Sequence, residues 1–362
     1  MSDERFMSLA LSLARRGLGS VWPNPAVGCV IVVGGQIVGR GWTQPGGRPH
    51  AEVVALAQAG EAARGSTAYV TLEPCSHHGQ TPPCAGALVA AGVARVVVAL
   101  GDPDPRVNGR GIAMLRDAGI EVETGIGEAE ARADQVGFLS RVTRSRPMVT
   151  LKLASSLDGR IATATGESQW ITGPEARRMV HALRMTHDAV MVGAGTARAD
   201  DPSLTVRDMG ARRQPVRVIL SRHLDLQLDG TLARTARDVP LWLVHGDRAE
   251  AVRIAKWQET GARLFPVPVV GGQLDAGAAL AALGAAGLTR VFCEGGGALG
   301  ASLLGAGLVD EFVGFTAGIA LGAEGRPSLA AMGVDALADA PRLSLVETRV
   351  LGADVMHRWR RM

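Results

Sequence analysis

Several features are scarce in this chain of 362 residues, and each scarcity removes a class of protein. No uninterrupted apolar run approaches the ~18 residues that suggest a membrane span, so a soluble protein without a membrane partner is expected. The opening Met1-Ser-Asp-Glu-Arg5 places acids where a secretory leader needs positive charge, while Phe6, Leu9, Ala10 and Leu13 fall at helical spacing. An ordinary amphipathic first helix is expected there. Charge of one sign is also missing: 38 basic and 35 acidic residues leave a formal net charge of +3, with no long basic block. A nucleic-acid backbone is therefore not an expected partner, whereas small anions, which need only a few well-placed arginines, stay open. Cysteine is limited to four residues, two of them in one tight polar motif. That pattern favours a metal site in a reducing compartment, the cytoplasm, over a disulfide framework. No fixed-period repeat signals a solenoid.

What is present is apolar content of 47%, in a chain longer than the ~250–300 residues at which single cores stop growing, so two domains are expected. The many glycines and prolines are interleaved with strand-like runs such as Val27-Gly-Cys-Val-Ile-Val-Val33, which argues against disorder. The first part reads as a helix, a strand pair (27–33 and 36–41), helices over 51–63, 84–91 and 109–118, and strands over 68–72, 93–100 and 120–124. Such alternation indicates an α/β sheet with at least partly parallel order. The basic stretch Arg141-Val-Thr-Arg-Ser-Arg-Pro147 interrupts it, and the domains are placed at 1–145 and 146–362. The second part alternates again: strand 148–154, helix 174–184, strands 188–192, 216–220 and 241–244, helix 276–286, strand 290–293, strand 311–317, and closing strands near Leu343 and Val355. The segment 222–273 carries no assignable motif and reads as scaffold.

The strongest chemical signal is His50-Ala-Glu52 followed by Pro74-Cys75-Ser-His-His-Gly-Gln-Thr-Pro-Pro-Cys84. One imidazole and two thiolates are a three-ligand zinc set, and three protein ligands leave the fourth tetrahedral position open, as catalysis requires. His77 or His78 could instead supply a fourth donor and close a structural site. Glu52 argues for catalysis: two residues after a ligand at a helix start, it reaches water near the metal without ligating. It can take a proton from that water and deliver it to a leaving amine, which is hydrolytic deamination. Cys29 and Cys293 sit in apolar strand runs and read as small buried hydrophobes.

The spacing and text of this cysteine segment resemble the riboflavin-specific deaminases of the cytidine-deaminase superfamily. Pro23-Asn-Pro-Ala-Val-Gly-Cys29 resembles the same family's substrate-binding segment, which implies that Asn24 hydrogen-bonds a pyrimidine edge. The chain departs from the family at Gln80, where relatives carry a basic residue, so no phosphate contact is assigned there.

In the second part, Glu294-Gly-Gly-Gly-Ala-Leu-Gly300 follows an apolar strand and opens a helical pattern. A glycine-rich turn at a helix N-terminus suits a pyrophosphate, although this one does not match G-x-G-x-x-G. With Lys152-Leu-Ala-Ser-Ser-Leu-Asp-Gly159, Gly166-Glu-Ser-Gln-Trp-Ile-Thr172, Gly193-Ala-Gly-Thr196 and Asp200-Asp-Pro-Ser-Leu-Thr-Val-Arg207, it resembles the reductase domain of bifunctional riboflavin-biosynthesis proteins. That resemblance implies a dihydrofolate-reductase-like α/β fold behind a cytidine-deaminase-like α/β/α domain. It also implies zinc and NADPH as cofactors, a phosphorylated pyrimidine substrate, and a homo-oligomer, dimer or tetramer. Implied cofactor contacts are Ala154, Trp170, Thr196, Asp200, Ser221, Gly295, Gly296, Gly297, Ala298, Leu299, Gly300 and Ala301. Implied substrate contacts are Ser168, Arg184, Leu204, Arg207 and Glu294; arginine is the residue type that grips a phosphate monoester. Lys152 or Asp200 is a candidate for moving a proton. The implied activity is deamination of a diaminopyrimidinone ribosylamine phosphate, then reduction of its ribosyl group to ribityl. The alternative is a monofunctional zinc deaminase of another base or nucleoside with an inactive second half.

Overall fold

The computed structural model describes residues 2–77, 82–211 and 213–361. His78 and Gln80, which carried two of the sequence expectations, lie outside the described residues. The chain forms two compact units, Met1–Ser145 and Arg146–Met362.

In the first unit the elements run α1 (Asp3–Ala14), β1 (Gly28–Val33), β2 (Gln36–Trp42), α2 (Ala51–Ala59), β3 (Thr67–Val70), α3 (Cys84–Ala90), β4 (Arg95–Val98), α4 (Arg110–Asp117), β5 (Glu121–Thr124), α5 (Glu128–Asp134) and α6 (Val136–Arg144). The sheet order is β2-β1-β3-β4-β5. β1 is antiparallel to both neighbours, and β3, β4 and β5 are mutually parallel. All six helices contribute to one core with the strands, from Phe6 and Leu11 of α1 to Phe138 of α6. Helices against the sheet explain why β1 and β4 read as near-continuous apolar runs. Helix α2 lies unusually close to β2: a Cβ on Gly41 would stand 2.1 Å from the Ala51 carbonyl oxygen. Only glycine permits this approach, which fixes where the first turn of α2 sits.

The second unit contains β6 (Met148–Ser156), β7 (Arg160–Ala162), α7 (Pro174–Met185), β8 (Ala189–Gly193), α8 (Ala194–Asp200), β9 (Val216–Leu220), α9 (Thr231–Arg234), β10 (Leu241–Gly246), α10 (Ala251–Glu259), β11 (Arg263–Val267), β12 (Val269–Val270), β13 (Gln273–Leu274), α11 (Ala276–Ala285), β14 (Arg290–Cys293), α12 (Gly297–Gly305), β15 (Glu311–Ala317), β16 (Arg326–Pro327), β17 (Leu343–Leu351) and β18 (Asp354–Arg361). Its main sheet has nine strands in the order β11-β10-β9-β8-β14-β6-β15-β18-β17. The strands from β11 to β15 are parallel, and the β17–β18 hairpin closes the far edge antiparallel. Cys29 and Cys293 are fully buried, as their apolar strands led one to expect. No helix among the described residues is long and apolar enough to cross a membrane.

One segment differs from the sequence expectation. The stretch read as a break at Arg141 is the last turn of α6, because Phe138, Leu139 and Val142 give this basic helix an apolar face against the core. The segment read as scaffold over 222–273 carries β10, α10, β11 and the buried Trp257, whose Nε1 donates to the Leu224 carbonyl at 3.3 Å.

Candidate active sites

In the first unit three elements converge. His50 is the N-cap of α2, Cys84 opens α3, and Cys75 lies in the loop after β3. Their ligand atoms, one imidazole nitrogen and two sulfurs, all lie within 4.8 Å of one another. His50 Nδ1 stands 3.3 Å from Cys84 Sγ and 3.7 Å from Cys75 Sγ. A tetrahedral zinc with Zn–N near 2.05 Å and Zn–S near 2.3 Å sets N···S at about 3.6 Å, so the three atoms already span the spacing the ion requires. Among the described residues no fourth donor joins this cluster. His77, the described candidate for that place, lines the same cavity, and its Nδ1 is buried without a hydrogen-bond partner.

The electrostatics suit a cation. The Cys84 thiol donates to Cys75, and with His50 beside it this holds the Cys75 thiol down at about 4. Cys84 is correspondingly pushed up, first by the same hydrogen bond and then by burial. Two sulfurs and a carboxylate packed this closely repel one another when ionised, and a divalent ion relieves that repulsion. Glu52, in the first turn of α2, is only 3% exposed, and burial pushes its carboxyl up from the usual range. A carboxyl so placed holds and releases a proton more readily near neutral pH than one in water.

His50, Glu52, Cys75 and Asn24 line a cavity of about 240 Å³. Asn24 Nδ2 donates to the Gly47 carbonyl at 2.8 Å, which fixes the plane of its amide at the cavity wall. The sequence reading missed the opposite wall, built from Glu73, Asp102, Asp104 and Arg106. Glu73 is 4% exposed and accepts from four backbone N–H groups: Gly111 and Ile112 on Oε1, and Gly109 and Asp102 on Oε2. It therefore caps α4 and pins the 102–109 loop beside the Pro74-Cys75 turn. Gly111 completes this dock, since a Cβ there would fall 1.9 Å from the Pro74 carbonyl oxygen. Burial, helped by the charges of Asp104 and Glu73, pushes the Asp102 carboxyl up to about 6. The only sequence signal for Glu73 was an acid at the end of an apolar strand, directly before the Pro-Cys pair.

The second unit gathers its implied residues at the carboxyl ends of its parallel strands. Lys152 and Ala154 lie on β6, Glu294 follows β14, and Thr196 is in α8 after β8. Arg184 forks onto Glu294, with Nε to Oε1 at 2.5 Å and Nη2 to Oε2 at 3.1 Å, while Nη1 donates to the Thr205 carbonyl at 2.6 Å. All three guanidinium nitrogens are thus engaged within the protein, so the fork expected to meet a phosphate holds Glu294 in place. Burial alone would raise the Glu294 carboxyl, but Arg184 and then Lys152 outweigh it and keep it below its usual value. Burial pushes Lys152 down despite the nearby Glu294 charge. Arg207 is exposed, and its backbone N–H donates to His181 Nδ1 at 3.2 Å.

Other implied contacts divide by exposure. Leu204 has φ 53 and is only 4% exposed. Ser168 and Asp200 are exposed, and Trp170 is 65% exposed with the Arg177 guanidinium 4.8 Å from its ring centre. Gly295 and Gly296 form the turn, and Gly296 N donates to Thr196 Oγ1 at 3.2 Å. Helix α12 starts at Gly297, so the N–H groups of Gly297, Ala298 and Leu299 precede its internal ladder, whose first bond runs from Gly300 N to Gly296 O. Free amides at a helix start fit a pyrophosphate. Gly300 and Ala301, in contrast, are buried; Gly300 packs on Leu151 and Leu329. Ser221 is also fully buried, its Oγ donating to Asp225 Oδ1 at 3.1 Å.

Comparison with known proteins identifies both halves of the chain. Residues 1–100 match the model of the cytidine and deoxycytidylate deaminase zinc-binding region, and residues 147–357 match the RibD C-terminal domain. The chain is 44% identical to the riboflavin biosynthesis protein RibD of Escherichia coli (strain K12), over 98% of each chain. It is 47% identical to that of Aquifex aeolicus over 73% of each. Among solved structures, Acinetobacter baumannii RibD superposes with a TM-score of 0.89 at 40% identity, covering 99% of both chains. A Thermotoga maritima diaminohydroxyphosphoribosylaminopyrimidine deaminase / 5-amino-6-(5-phosphoribosylamino)uracil reductase gives 0.86 at 34% identity, covering 99% of this chain and 98% of that one. With a deaminase zinc-binding region followed by a RibD C-terminal domain, and with relatives matched over nearly their full length, the chain belongs to the RibD family of riboflavin biosynthesis proteins.

Proposed function

We propose that this chain carries out two successive reactions on one phosphorylated pyrimidine. The first is hydrolytic deamination of 2,5-diamino-6-(5-phosphoribosylamino)pyrimidin-4(3H)-one, assigned to residues 1–145. The second is reduction of the resulting ribosylamino-uracil phosphate to its ribityl form, assigned to residues 146–362. The observation that carries the reading is the cluster of His50 Nδ1, Cys75 Sγ and Cys84 Sγ within 4.8 Å, beside a Glu52 that belongs to no ligand set.

His50, Cys75 and Cys84 would hold zinc, which, when bound, supplies a Lewis acid that makes water acidic near neutral pH. Glu52 takes the proton of the attacking water and passes it to the exocyclic nitrogen, which leaves as ammonia. Its buried position and the pinned first turn of α2 keep the carboxylate aimed at that transfer. Asn24 orients the pyrimidine edge, and the Glu73-pinned loop presents Asp102 and Asp104 to the polar remainder of the substrate.

In the second unit NADPH, when bound, supplies the reducing equivalent. The amides of Gly297, Ala298 and Leu299 receive its pyrophosphate, with Gly295, Gly296 and Thr196 shaping the turn and Ala154, Trp170 and Asp200 bordering the site. Ser168, Leu204 and Arg207 meet the substrate, Arg207 being the phosphate contact. Arg184 positions Glu294, and Glu294 with Lys152 forms the polar pair nearest the reacting sugar. Lys152, which burial keeps short of its ordinary basicity, is the proton carrier in this reading. Four free thiols agree with a cytoplasmic location, and the near-neutral charge balance agrees with a small-molecule partner and no nucleic acid. A homo-oligomer, dimer or tetramer, completes the reading.

The test follows ammonia release and NADPH consumption separately on the authentic substrate. Ammonia without NADPH consumption would favour the monofunctional deaminase; consumption of neither would refute the whole assignment.

A further inference from the structure

Parallel α/β sheets bind dinucleotides in the crevice beyond the strand carboxyl ends, at the point where the chain's winding direction reverses. Here that point lies between β8 and β14: strands β9, β10 and β11 continue outward on one side, and β6 lies on the other. The bond from Gly296 N to Thr196 Oγ1 spans this crevice, and the open amides of α12 sit beside it. A pyrophosphate anchored there has its reacting end toward β6, where Lys152, Ala154 and Glu294 lie. Its adenosine end must then cross the carboxyl ends of β9 and β10.

Two residues follow β9 at that edge. Ser221 is fully buried, with its hydroxyl committed to Asp225, so it offers no side chain to a ligand. Arg222 is exposed. Its carbonyl accepts from Gly246 N at 3.0 Å, at the end of β10, and a Cβ on Gly246 would stand 3.0 Å from that oxygen and 2.9 Å from Val269. The glycine thus lets the β9 exit lie directly across the β10 exit and fixes the base of the arginine. Its Nε is 2.7 Å from His223 Nε2, and Nη1 donates to the Gly272 carbonyl of the β12–β13 turn. Among the described residues no carboxylate pairs with Arg222. The acid nearest in sequence, Asp225, already pairs with Arg198 at 2.7 Å and accepts from Ser221.

The edge where an adenosine ribose would lie therefore presents a braced, uncompensated guanidinium, while its acid is neutralised. An acid at this place favours a free 2′-hydroxyl, and an arginine accommodates a 2′-phosphate. We propose that Arg222 reads the 2′-phosphate of NADPH and sets the preference over NADH. This rests on the reductase reading of the second unit.

The experiment measures equilibrium dissociation constants of NADPH and NADH for the zinc-loaded full chain, by nicotinamide fluorescence, in wild type, Arg222→Gln and Arg222→Lys. Loss of one or two charge-assisted hydrogen bonds predicts an NADPH affinity about 10- to 150-fold weaker in Arg222→Gln, with NADH within about twofold and Arg222→Lys intermediate. Equal weakening of both cofactors, or of neither, overturns the role of Arg222. Wild type binding NADPH and NADH alike overturns it too while leaving the reductase reading standing. Wild type binding neither removes both.

Discussion

Glu73 tests whether the deaminase cavity depends on a buried carboxylate outside the zinc motif. Glu73→Gln keeps shape and volume but replaces one oxygen with an amide nitrogen. With Oε1 retained for Gly111 and Ile112, the new NH2 faces the backbone N–H groups of Gly109 and Asp102, now 3.0 Å and 3.3 Å from a donor instead of an acceptor. Each buried donor left unpaired costs about 1–3 kcal/mol, so a loss of about 4 kcal/mol is expected for the two. With a urea slope of about 2 kcal/mol/M, the midpoint should fall by about 2 M. The assay is urea unfolding of the zinc-loaded chain followed by metal release, which reports the unit that holds Cys75 and Cys84. A midpoint shift under about 0.3 M would refute the reasoning, because it would mean the two bonds to Gly109 and Asp102 carry no net stability.

Three further outcomes follow. Gly111→Ala forces a Cβ to within 1.9 Å of the Pro74 oxygen, so it should destabilise the same unit by about 1–3 kcal/mol and slow ammonia release, measured by unfolding and by a coupled ammonia assay. Glu294→Gln should leave Arg184 half-paired and lower NADPH consumption on deaminated substrate at least about tenfold while ammonia release is unchanged; equal loss of both would contradict separate sites. Burial holds His187 down at about 3, its neutral ring donating to the Leu183 carbonyl and accepting from Thr150. The unfolded chain takes up this proton near pH ~6.5 and the folded chain does not, so stability present above pH ~6.5 is lost as pH falls toward about 3. Between about pH 6 and pH 4 the wild type should lose about 2 kcal/mol more than His187→Leu, measured by urea unfolding of the second unit.

The cluster of His50, Cys75 and Cys84 was legible in the sequence because residue type and spacing along one short stretch of chain bring such ligand atoms together. Most strands were legible for a similar reason: burial on both faces leaves short apolar runs bounded by glycine and polar residues. Partners far apart in sequence were not. Nothing local marks Glu73 as the acceptor for Gly109, Gly111 and Ile112, or pairs Arg184 with Glu294 across 110 positions. The basic end of α6 read as a break in the alternation because charge masked the apolar stripe of Phe138, Leu139 and Val142. Arg222 lay in a segment without motif, and only the strand order shows which ligand end would pass it.

The central claim is that a metal held by His50, Cys75 and Cys84 works beside a glutamate that carries protons and binds no metal. The direct measurement pairs zinc content with ammonia release in wild type and Glu52→Gln. One zinc per chain in both, with ammonia release lowered about 10²- to 10⁴-fold in the variant, is the predicted result. Loss of zinc in Glu52→Gln, or ammonia release at the wild-type rate, would contradict it.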